Sequence, residues 1–503
     1  MTVAVEREAK LGAEPAFSLP DLDGVVNGIR AGRVEVAALE ATYYDTPDLR
    51  LARSGITLRY RVEPGGGRWT LKLPSKGGGA GGPGLSRAEL ESPGDPDRIP
   101  DELADLVGVH VRSSALVAVA KLKTDRRRVV LVDQEGRELA EVDDDAVTAL
   151  QGAEATSAFR EIEVELRHDA PRRLLSTVVR ALKTAGAAKG TALPKAVRVL
   201  GQSALGPPEV EVRPLPAKPR AGDVVRRAIA AGTERLMRHD PGTRLGADPE
   251  DLHQARVATR RLRSDLRTFA SLLEPGWVAS TRDELRSVAD ALGAVRDRDV
   301  LLARLRQRVA QLPPDDATAA GGILARLESE REEARGALLD VLRSSRYLGL
   351  LETLVRASRE PPLTQEAKRR ARAVIPRLAR KPCKQLSGAV KALPGESDDA
   401  ELHRVRVLAK RCRYAAEAVA PVAGPVASRY AAAMAELQTV LGDIHDAVVA
   451  QEWLRTAARS FPTRALVAGE LVAAERAEAE ALRARWPKIW RKASRNKLRS
   501  WMR

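Results

Sequence analysis

The chain has 503 residues, of which 44% are hydrophobic and 30% charged, a composition typical of a folded protein with an ample core. No run of about 18 apolar residues occurs, and the N-terminus has no apolar signal segment. We therefore expect neither a membrane span nor export, and place the protein in the cytoplasm. The only two cysteines, Cys383 and Cys412, exclude a disulfide framework and a cysteine-based zinc cluster, and redox chemistry is not expected.

The formal net charge of +16 is unevenly distributed along the sequence. Residues 1–200 contain 29 Lys and Arg against 30 Asp and Glu, whereas residues 201–503 contain 55 against 38. Most cations of the second part are arginines, which bind phosphate oxygens through two donors at once. Codon usage explains part of the arginine content but not its position. The asymmetry indicates an anionic polymer as the partner of the second part.

Short segments with alternating residue types recur before residue 200, separated by turn signals such as the glycine run 77–84, which we expect to form a surface loop. The segments are VAVEREAKL, ITLRYRVE, RWTLKLP, LSRAELES, RRVVLVD and FREIEVELRH, and they predict an antiparallel sheet or barrel. Charged residues two apart share one face, and apolar residues take the other. A solvated outer face is the simpler interpretation. The charges are sorted by sign between strands, however, which favours a closed barrel with its charged face inward.

Residues 201–219 are rich in proline and have neither a strand nor a helix period, as is typical of a semi-rigid linker. Residues 220–503 show apolar positions three and four apart, which predicts helices that end at pairs such as Pro241-Gly242. The expected fold class is a multidomain chain: an N-terminal antiparallel β-barrel over residues 1–200, followed by an all-α duplicated helical bundle.

An internal repeat indicates the duplication. The pattern H-x-x-R-V-x-x-[RK]-R-x-R begins at His253 and again at His403, 150 residues later. A second pattern, L-G-x-[VI]-x-D, begins at Leu292 and at Leu441, 149 residues apart. On a helix the cations of the first pattern form one stripe, opposite an apolar stripe. Such a stripe is usually a solvated face, but two aligned copies with few acidic neighbours favour an external polyanion.

The first 200 residues resemble the CYTH superfamily of triphosphate tunnel metalloenzymes. The resemblance rests on E-x-E-x-K at residues 6–10, on TYYDTPDLRLARSGITLRYRVE at residues 42–63, and on RWTLKLP, RAELE, AEVDDD, EIEVEL and PKAVRVLG, in family order. It implies a triphosphate tunnel fold and a metal-dependent triphosphatase with Mg²⁺ or Mn²⁺ as cofactor. The metal ligands that it implies are Glu6, Glu8, Asp143, Glu161, Glu163 and Glu165.

The same resemblance implies phosphate contacts and a reaction. The contacts would come from Lys10, Arg59, Arg61, Lys72, Arg87, Lys123, Arg126, Arg128 and Lys195. Pro194 departs from the family pattern, which has a small polar residue before the lysine. The implied reaction is in-line attack by a metal-activated water on a terminal phosphoryl group. Thiamine triphosphatase and adenylate cyclase activities share this barrel and are alternative activities. The non-catalytic alternative is a binding protein that targets polyphosphate granules and has a degraded barrel. The intact segments EREAK and EIEVEL favour the enzyme.

Residues from about 220 to 490 resemble the CHAD domain, the conserved-histidine helical domain, through both copies of both patterns. The resemblance implies inorganic polyphosphate as ligand, and polyphosphate granules as a place of action. The residues expected to bind it are His253, Arg256, Arg260, Arg261, Arg263, His403, Arg406, Lys410, Arg411 and Arg413. The histidines are expected to contact phosphate or form hydrogen bonds rather than bind metal. Few aromatic residues lie in the stripes, so nucleic acid is not expected as a partner, nor is a membrane. The tryptophans Trp486, Trp490 and Trp501 are expected to dock on the bundle.

Overall fold

The computed structural model describes residues 3–5, 7–63, 66–74, 87–152, 154–167, 170–190, 193–394, 397–460 and 464–502. The glycine run 77–84 lies outside these ranges. The chain forms two compact units, Met1–Glu209 and Val210–Arg503, and the division falls inside the predicted linker. None of the described helices combines the length and the apolar character that a membrane crossing requires.

The first unit is built on one antiparallel sheet. Its strands are β1 (Val3–Val5), β2 (Arg7–Ala13), β3 (Arg30–Asp45), β4 (Thr57–Glu63), β5 (Gly66–Pro74), β6 (Arg87–Pro93), β7 (Val117–Val132), β8 (Glu138–Gln151), β9 (Glu154–Leu166) and β10 (Ala188–Lys189). They follow the order β1-β6-β5-β4-β3-β7-β8-β9-β2-β10. β1 and β2 lie near opposite ends of this order, yet only one residue separates them in the chain. The sheet therefore rolls up and closes into a tunnel.

Helices cover the apolar face of the sheet. The first unit has α1 (Arg50–Arg53), α2 (Asp101–Val111), α3 (Arg172–Thr184) and α4 (Lys195–Leu200). Ile162 and Val164 of β9 are fully buried in one cluster with Leu174 and Val178 of α3, whereas Glu163 between them faces the tunnel. Because successive side chains of a strand point to opposite faces, the charged face must line the interior. The predicted barrel with inward charges is confirmed.

The sequence analysis did not identify β3, a strand of 16 residues. Its inward positions include Ala37, Leu39 and Ala41, which lie opposite the inward positions of β7. These residues are small or apolar, and Glu35, opposite Arg128, is the charged residue that precedes them on this face, so the middle of β3 lacks the alternating inward charges that mark the other strands. The residue pattern used to find the strands therefore does not apply to it.

The regular elements of the second unit, within its described residues, are helices. They are α5 (Ala221–Leu245), α6 (Pro249–Thr268), α7 (Pro275–Val309), α8 (Pro314–Arg343), α9 (Ser345–Arg359), α10 (Ala371–Leu378), α11 (Arg380–Lys391), α12 (Asp399–Ala423), α13 (Pro425–Ser460), α14 (Ala465–Ala493) and α15 (Asn496–Arg499). The first repeat pattern lies on α6 and α12, and the second lies on α7 and α13. α6 packs on α7 and α12 packs on α13, and α6 also contacts α12. The duplicated helix pairs therefore meet through α6 and α12.

The predicted helix break at Pro241-Gly242 is wrong. α5 continues through the buried Pro241 to Leu245 and ends at Gly246, whose φ is 68°. Gly246 donates its backbone N–H to the carbonyl of Gly242. A proline close to a helix end removes one hydrogen bond, whereas a glycine in the left-handed conformation closes the last turn. The glycine is the stronger stop signal.

The C-terminal tryptophans belong to the core of the second unit. Trp486, Trp490 and Trp501 pack against a buried cluster that includes Leu402 and Leu437. The expectation that the terminal helix docks its tryptophans on the bundle is confirmed.

Candidate active site and anion-binding surface

Charged side chains form rows across the tunnel wall because the register aligns the inward positions of neighbouring strands. Two rows cross β8, β9 and β2: Asp143, Glu163 and Lys10 in one, and Glu141, Glu165 and Glu8 in the other. Arg128 of β7 continues the first row and donates to both carboxylate oxygens of Asp143, at 2.7 and 2.9 Å. The sheet thus places carboxylates and cations in direct contact inside the tunnel.

The opposite wall is more cationic and less completely neutralised. Arg59 and Arg61 of β4 project inward, and Lys72 of β5 lies 3.3 Å from Glu89 of β6. The Nε atoms of both arginines are buried and have no hydrogen-bond partner among the described residues. Burial lowers the pKa of Arg61 to about 10, and the neighbouring Arg59 adds to this effect. Buried donors without partners favour an incoming oxyanion.

The two walls enclose a cavity of about 310 Å³. It is lined by 19 residues, of which nine are cationic and seven are carboxylates. The exceptions are Tyr43, Thr57 and Pro194. Such a lining suits a small, highly charged ligand and offers almost no apolar surface.

Two lysines hold Glu163. Lys10 donates a hydrogen bond to Glu163, while Lys195 lies 3.2 Å from the same carboxylate and donates to Asp145 at 2.6 Å. Burial alone raises the pKa of Glu163, but Lys10 and Lys195 bring that pKa well below its ordinary value. The carboxylate is therefore ionised at neutral pH. Pro194, the departure from the family pattern, does not keep Lys195 out of the tunnel.

Glu161 lies beside this network but does not line the cavity. It is 2% exposed, 3.6 Å from Lys195 and 3.2 Å from Arg198. Its Oε1 has no hydrogen-bond partner within the part of the chain that the structure describes. Burial raises the pKa of Glu161 to about 7 against the opposing effect of Lys195, and Glu163 adds to the rise.

The row of Glu8, Glu141 and Glu165 provides the oxygen donors that a hard divalent cation prefers. Burial raises the pKa of Glu165, and among its neighbours Lys72 lowers this pKa while Glu141 and Glu8 raise it. A cation beside Glu165 would relieve this repulsion, so the donor set fits Mg²⁺ or Mn²⁺. In the described ranges no three carboxylate, histidine or cysteine side chains converge on a single metal position. Glu6, a predicted ligand, lies outside those ranges.

Most of the predicted tunnel residues are brought together. The cavity is lined by Glu8, Lys10, Arg59, Arg61, Lys72, Arg126, Arg128, Asp143, Glu163, Glu165 and Lys195. The side chain of Arg87, like Glu6, lies outside the described part. The sequence analysis missed five charged lining residues: Arg68, Glu89, Glu91, Glu141 and Arg167. The alternation R-x-E-x-E in β6 was the signal for two of them.

Lys123 does not belong to the tunnel lining. It is exposed and lies on the outer face of β7, between the buried Leu122 and Thr124. Arg126 is three residues away, and an odd separation on a strand places two side chains on opposite faces. We therefore leave Lys123 out of the proposed phosphate contacts.

In the second unit an ion pair connects the two repeat patterns in each copy. Arg256 of α6 lies 2.8 Å from Asp297 of α7, and Arg406 of α12 lies 3.9 Å from Asp446 of α13. Each arginine belongs to the first pattern and each aspartate ends the second. The duplication inferred from sequence is thus repeated in the side-chain contacts.

The cationic stripes of the two copies meet at one place. Lys410 is surrounded by Arg260, Arg406 and Arg256, and burial together with these three charges lowers its pKa to about 7. Asp446 opposes this shift, but less strongly than any of the three cations favours it. We call Arg256, Arg260, Arg406 and Lys410 the central cluster. Its concentrated positive charge favours a multivalent anion.

The repeat histidines border this cluster. His253 lies near Arg296, whereas His403 lies beside His445, with 3.2 Å between their Nδ1 atoms. Burial lowers the pKa of His445 to about 4, and Arg406 adds to the effect. Both imidazoles of the second copy are therefore neutral at pH 7.

Arg261 and Arg413 are engaged inside the bundle. Arg261 donates to Glu417 of α12 and, at 3.0 Å, to Asp265, while Arg413 donates to Glu417 at 2.7 Å. These contacts neutralise both arginines and join α6 to α12, so we assign them a structural role and leave them out of the proposed surface.

Arg263 and Arg411 extend the basic surface beyond the central cluster. The pKa of Arg267 is lowered to about 10 by burial and by the positive charges of Arg282, Arg411 and Arg263. Arg263, Arg267, Arg282 and Arg411 have no ion pair within the described ranges. These two predicted residues therefore remain part of a continuous cationic surface.

A charged tunnel formed by a closed antiparallel sheet, followed by a duplicated helical bundle with a cationic surface, defines a two-unit protein suited to polyanionic ligands. The chain belongs to the CYTH and CHAD families: residues 4–199 match the model of the CYTH domain, and residues 227–455 match that of the CHAD domain. Members of the CYTH family act as triphosphatases or cyclases and generally depend on a metal ion.

One relative aligns along most of this chain, and two solved structures each cover a little more than half of it. The uncharacterized protein Rv2226 of Mycobacterium tuberculosis is 33% identical over 477 residues, which cover 90% of this chain and 88% of that protein. PptA from Streptomyces chartreusis is 29% identical, with a TM-score of 0.47, covering 54% of this chain and 99% of that one. The CHAD domain from the plant Ricinus communis is 27% identical, with a TM-score of 0.47, covering 58% and 96%.

Proposed function

We propose that the first unit is a metal-dependent hydrolase of inorganic triphosphate or related short polyphosphates, and that the second unit binds long-chain polyphosphate. The observation that supports the hydrolase is the composition of the tunnel, whose lining has 16 charged residues among 19. Triphosphate is a small ligand with charge along its whole length, and this lining offers a counter-charge at each position.

The same lining favours an inorganic substrate over thiamine triphosphate or a nucleotide. A base or thiazole ring needs an apolar or aromatic surface. Tyr43 is the single aromatic residue among those that line the cavity, and it is 6% exposed. Tyr43 is close enough to Arg59 to raise the pKa of that guanidinium against the effect of burial, so its polar end faces the phosphate wall.

The residues of the two walls would have different roles in the reaction. A bound Mg²⁺ or Mn²⁺, held by Glu8, Glu141 and Glu165, would activate water and neutralise phosphate oxygens. Arg59 and Arg61 provide unpaired buried donors, which can stabilise the charge that develops on the transferred phosphoryl group. The ionised Glu163 keeps Lys10 and Lys195 charged and in position, since it accepts or attracts both ammonium groups.

The helical unit would bind polyphosphate over the central cluster and the neighbouring Arg263 and Arg411. Four cations within reach of one another bind successive phosphates of a chain, whereas a single phosphate neutralises one or two of them. A longer polymer also spans the arginines around Arg267. Affinity should therefore rise with chain length and fall with salt, as in other polyanion complexes.

The experiment that tests the hydrolase is phosphate release from tripolyphosphate, ATP, thiamine triphosphate and long polyphosphate, each with Mg²⁺, Mn²⁺ or EDTA. We expect tripolyphosphate to have the highest kcat/KM and EDTA to abolish release. Arg61→Ala should lose activity, while the matched surface variant Arg127→Ala, at an exposed position on the outer face of β7, should keep it. Equal turnover of ATP would contradict the preference for inorganic substrate, and no turnover of any substrate would support the non-catalytic binding protein.

A further inference from the structure

Cys383 of α11 and Cys412 of α12 meet in the core of the second unit. Their Sγ atoms lie 2.6 Å apart, and the two residues are 4% and 0% exposed. They are the only cysteines of the chain. A count of cysteines cannot foresee this contact, because it depends on how α11 packs on α12. Two thiols in contact are the arrangement from which a disulfide can form.

Two polar groups approach the thiols from other helices. The hydroxyl of Tyr430 lies 3.3 Å from the Sγ of Cys412. Arg499 of α15 is close enough to act on both thiols, and its buried Nε and Nη2 atoms have no hydrogen-bond partner among the described residues. Buried guanidinium donors without an acceptor favour a negative charge beside them, and a thiolate is the charge available here.

The two cysteines are not equivalent. The hydrogen bond with Cys412 lowers the pKa of Cys383, against the effect of burial, and Tyr430 and Arg499 lower it further. Burial raises the pKa of Cys412 well above its ordinary value. Cys383 is thus the more acidic partner, and it is also the less buried of the two thiols, at 4% against 0% exposure.

We propose that Cys383 and Cys412 form a peroxide-reactive dithiol, with Cys383 as the attacking thiolate, Cys412 as the resolving thiol and Arg499 as the counter-ion. The Cys383 thiolate attacks one oxygen of a hydroperoxide, the O–O bond breaks, and Cys383 becomes a sulfenic acid while the alkoxide or hydroxide takes up a proton. Cys412 then attacks the sulfenic sulfur, the S–S bond forms, and water leaves.

The electron balance of the reaction and the burial of the two thiols indicate which kind of oxidant the proposal requires. One hydroperoxide takes two electrons from the dithiol and yields one alcohol or water from the leaving oxygen and one further water. Because the thiols are only 4% and 0% exposed, a protein disulfide cannot reach them, and the proposal requires a small oxidant such as a hydroperoxide. The bond would join α11 to α12, the helix that holds Arg406 and Lys410, and would stabilise the bundle by restricting the unfolded chain.

The test uses the full-length protein, treated with hydrogen peroxide, quenched, unfolded and alkylated, with intact mass as the readout. We expect two alkyl groups before treatment, none after it with a mass lower by two hydrogens, and both again after reduction. In Cys412→Ser the reaction should stop at a sulfenic acid on Cys383 that dimedone traps. Arg499→Gln should slow oxidation, since each unit of thiol pKa changes the thiolate fraction about tenfold. The control is Arg491→Gln, an exposed cation on α14.

Three results would overturn the proposal. Both thiols could remain alkylatable under conditions that oxidise the urea-unfolded protein. Oxidation could add oxygen atoms without a cross-link between Cys383 and Cys412 in the peptide map. Arg499→Gln could react as fast as Arg491→Gln, and then Arg499 would not be the counter-ion.

Discussion

Arg256 and Asp297, which are 41 positions apart in the sequence, form an ion pair at 2.8 Å that joins the two repeat patterns of the first copy. Its counterpart between Arg406 and Asp446 is longer, at 3.9 Å. The pair explains why both patterns occur in each half of the bundle: one supplies a cation of the central cluster, and the other supplies the carboxylate that fixes it. Asp297 is 68% exposed, so a polyanion can compete with it for Arg256.

The first prediction concerns this competition. Asp297→Asn should raise the affinity for long-chain polyphosphate several-fold at low salt, because it removes a negative charge that the ligand must displace. The gain should shrink as salt rises. The measurement is fluorescence anisotropy with labelled polyphosphate at several salt concentrations, and the control is Asp315→Asn, an exposed aspartate at the start of α8. A lower affinity in Asp297→Asn would mean that fixing Arg256 matters more than the competing charge.

The second prediction is that polyphosphate binding takes up a proton at Lys410. Burial, Arg260, Arg406 and Arg256 lower the pKa of Lys410 to about 7 in the free protein. A bound anion favours the charged form and raises that pKa. Above the free pKa, binding therefore adds a proton, and affinity should fall as pH rises through about 7. Below that pH Lys410 is already charged and the linkage vanishes.

Calorimetry at a pH about one unit above the free pKa, in two buffers of different ionisation enthalpy, measures the uptake directly. Lys410→Arg should bind without proton uptake, since arginine remains charged throughout this range. Equal uptake in the two proteins would assign the proton to another group, such as His403 or His445.

The strand period predicted the tunnel well but did not select every residue. Counting in twos places Arg126 and Arg128 on the inner face and Lys123 on the outer one, so Lys123 could have been excluded from the sequence. Glu89 and Glu91 share the alternation of β6 and could have been included. In these cases the alternation of side chains along a strand was sufficient to place the residues, but it was not applied to every charged position.

Other contacts depend on tertiary packing that no local pattern contains. Arg261 looks like any other cation of its stripe, but Glu417, 156 positions away, neutralises it. Lys195 reaches Asp145 because α4 packs against β7, the neighbour of the strand that holds Asp145. The sequence analysis therefore predicted the type of surface more reliably than the partners of individual side chains.

The third prediction concerns where the first unit ends. The side chain of Arg112 is fully buried, and its Nη2 lies 2.5 Å from Glu209, the last residue of the unit. A fragment of residues 1–200 lacks this carboxylate, and the removal of one partner from a buried ion pair costs about 3–5 kcal/mol. Residues 1–209 should therefore unfold at a higher temperature than residues 1–200, measured by circular dichroism. Glu209→Gln in the longer fragment should reproduce most of the loss, and equal stability of the two fragments would refute the boundary.

The last prediction tests whether Glu165 is a ligand of the catalytic metal or a structural carboxylate. Glu165 lines the cavity but forms no ion pair among the described residues, whereas Glu163 contacts Lys10, Lys195 and Arg126. Burial raises the pKa of Glu165, so its ionisation at neutral pH costs stability that the protonated form does not. Glu165→Gln should then leave the protein as stable or more stable at neutral pH, and its stability should be unchanged at acidic pH.

If Glu165 binds the metal, the same variant should lose tripolyphosphate hydrolysis by about a hundredfold, the scale on which preorganised charge acts in catalysis. It should also need more Mg²⁺ for its residual activity. Glu154→Gln, at an exposed position of the same strand, is the matched control. Thermal unfolding and phosphate release at several Mg²⁺ concentrations measure both effects on one sample, and a variant with full activity and an unchanged Mg²⁺ requirement would remove Glu165 from the metal site.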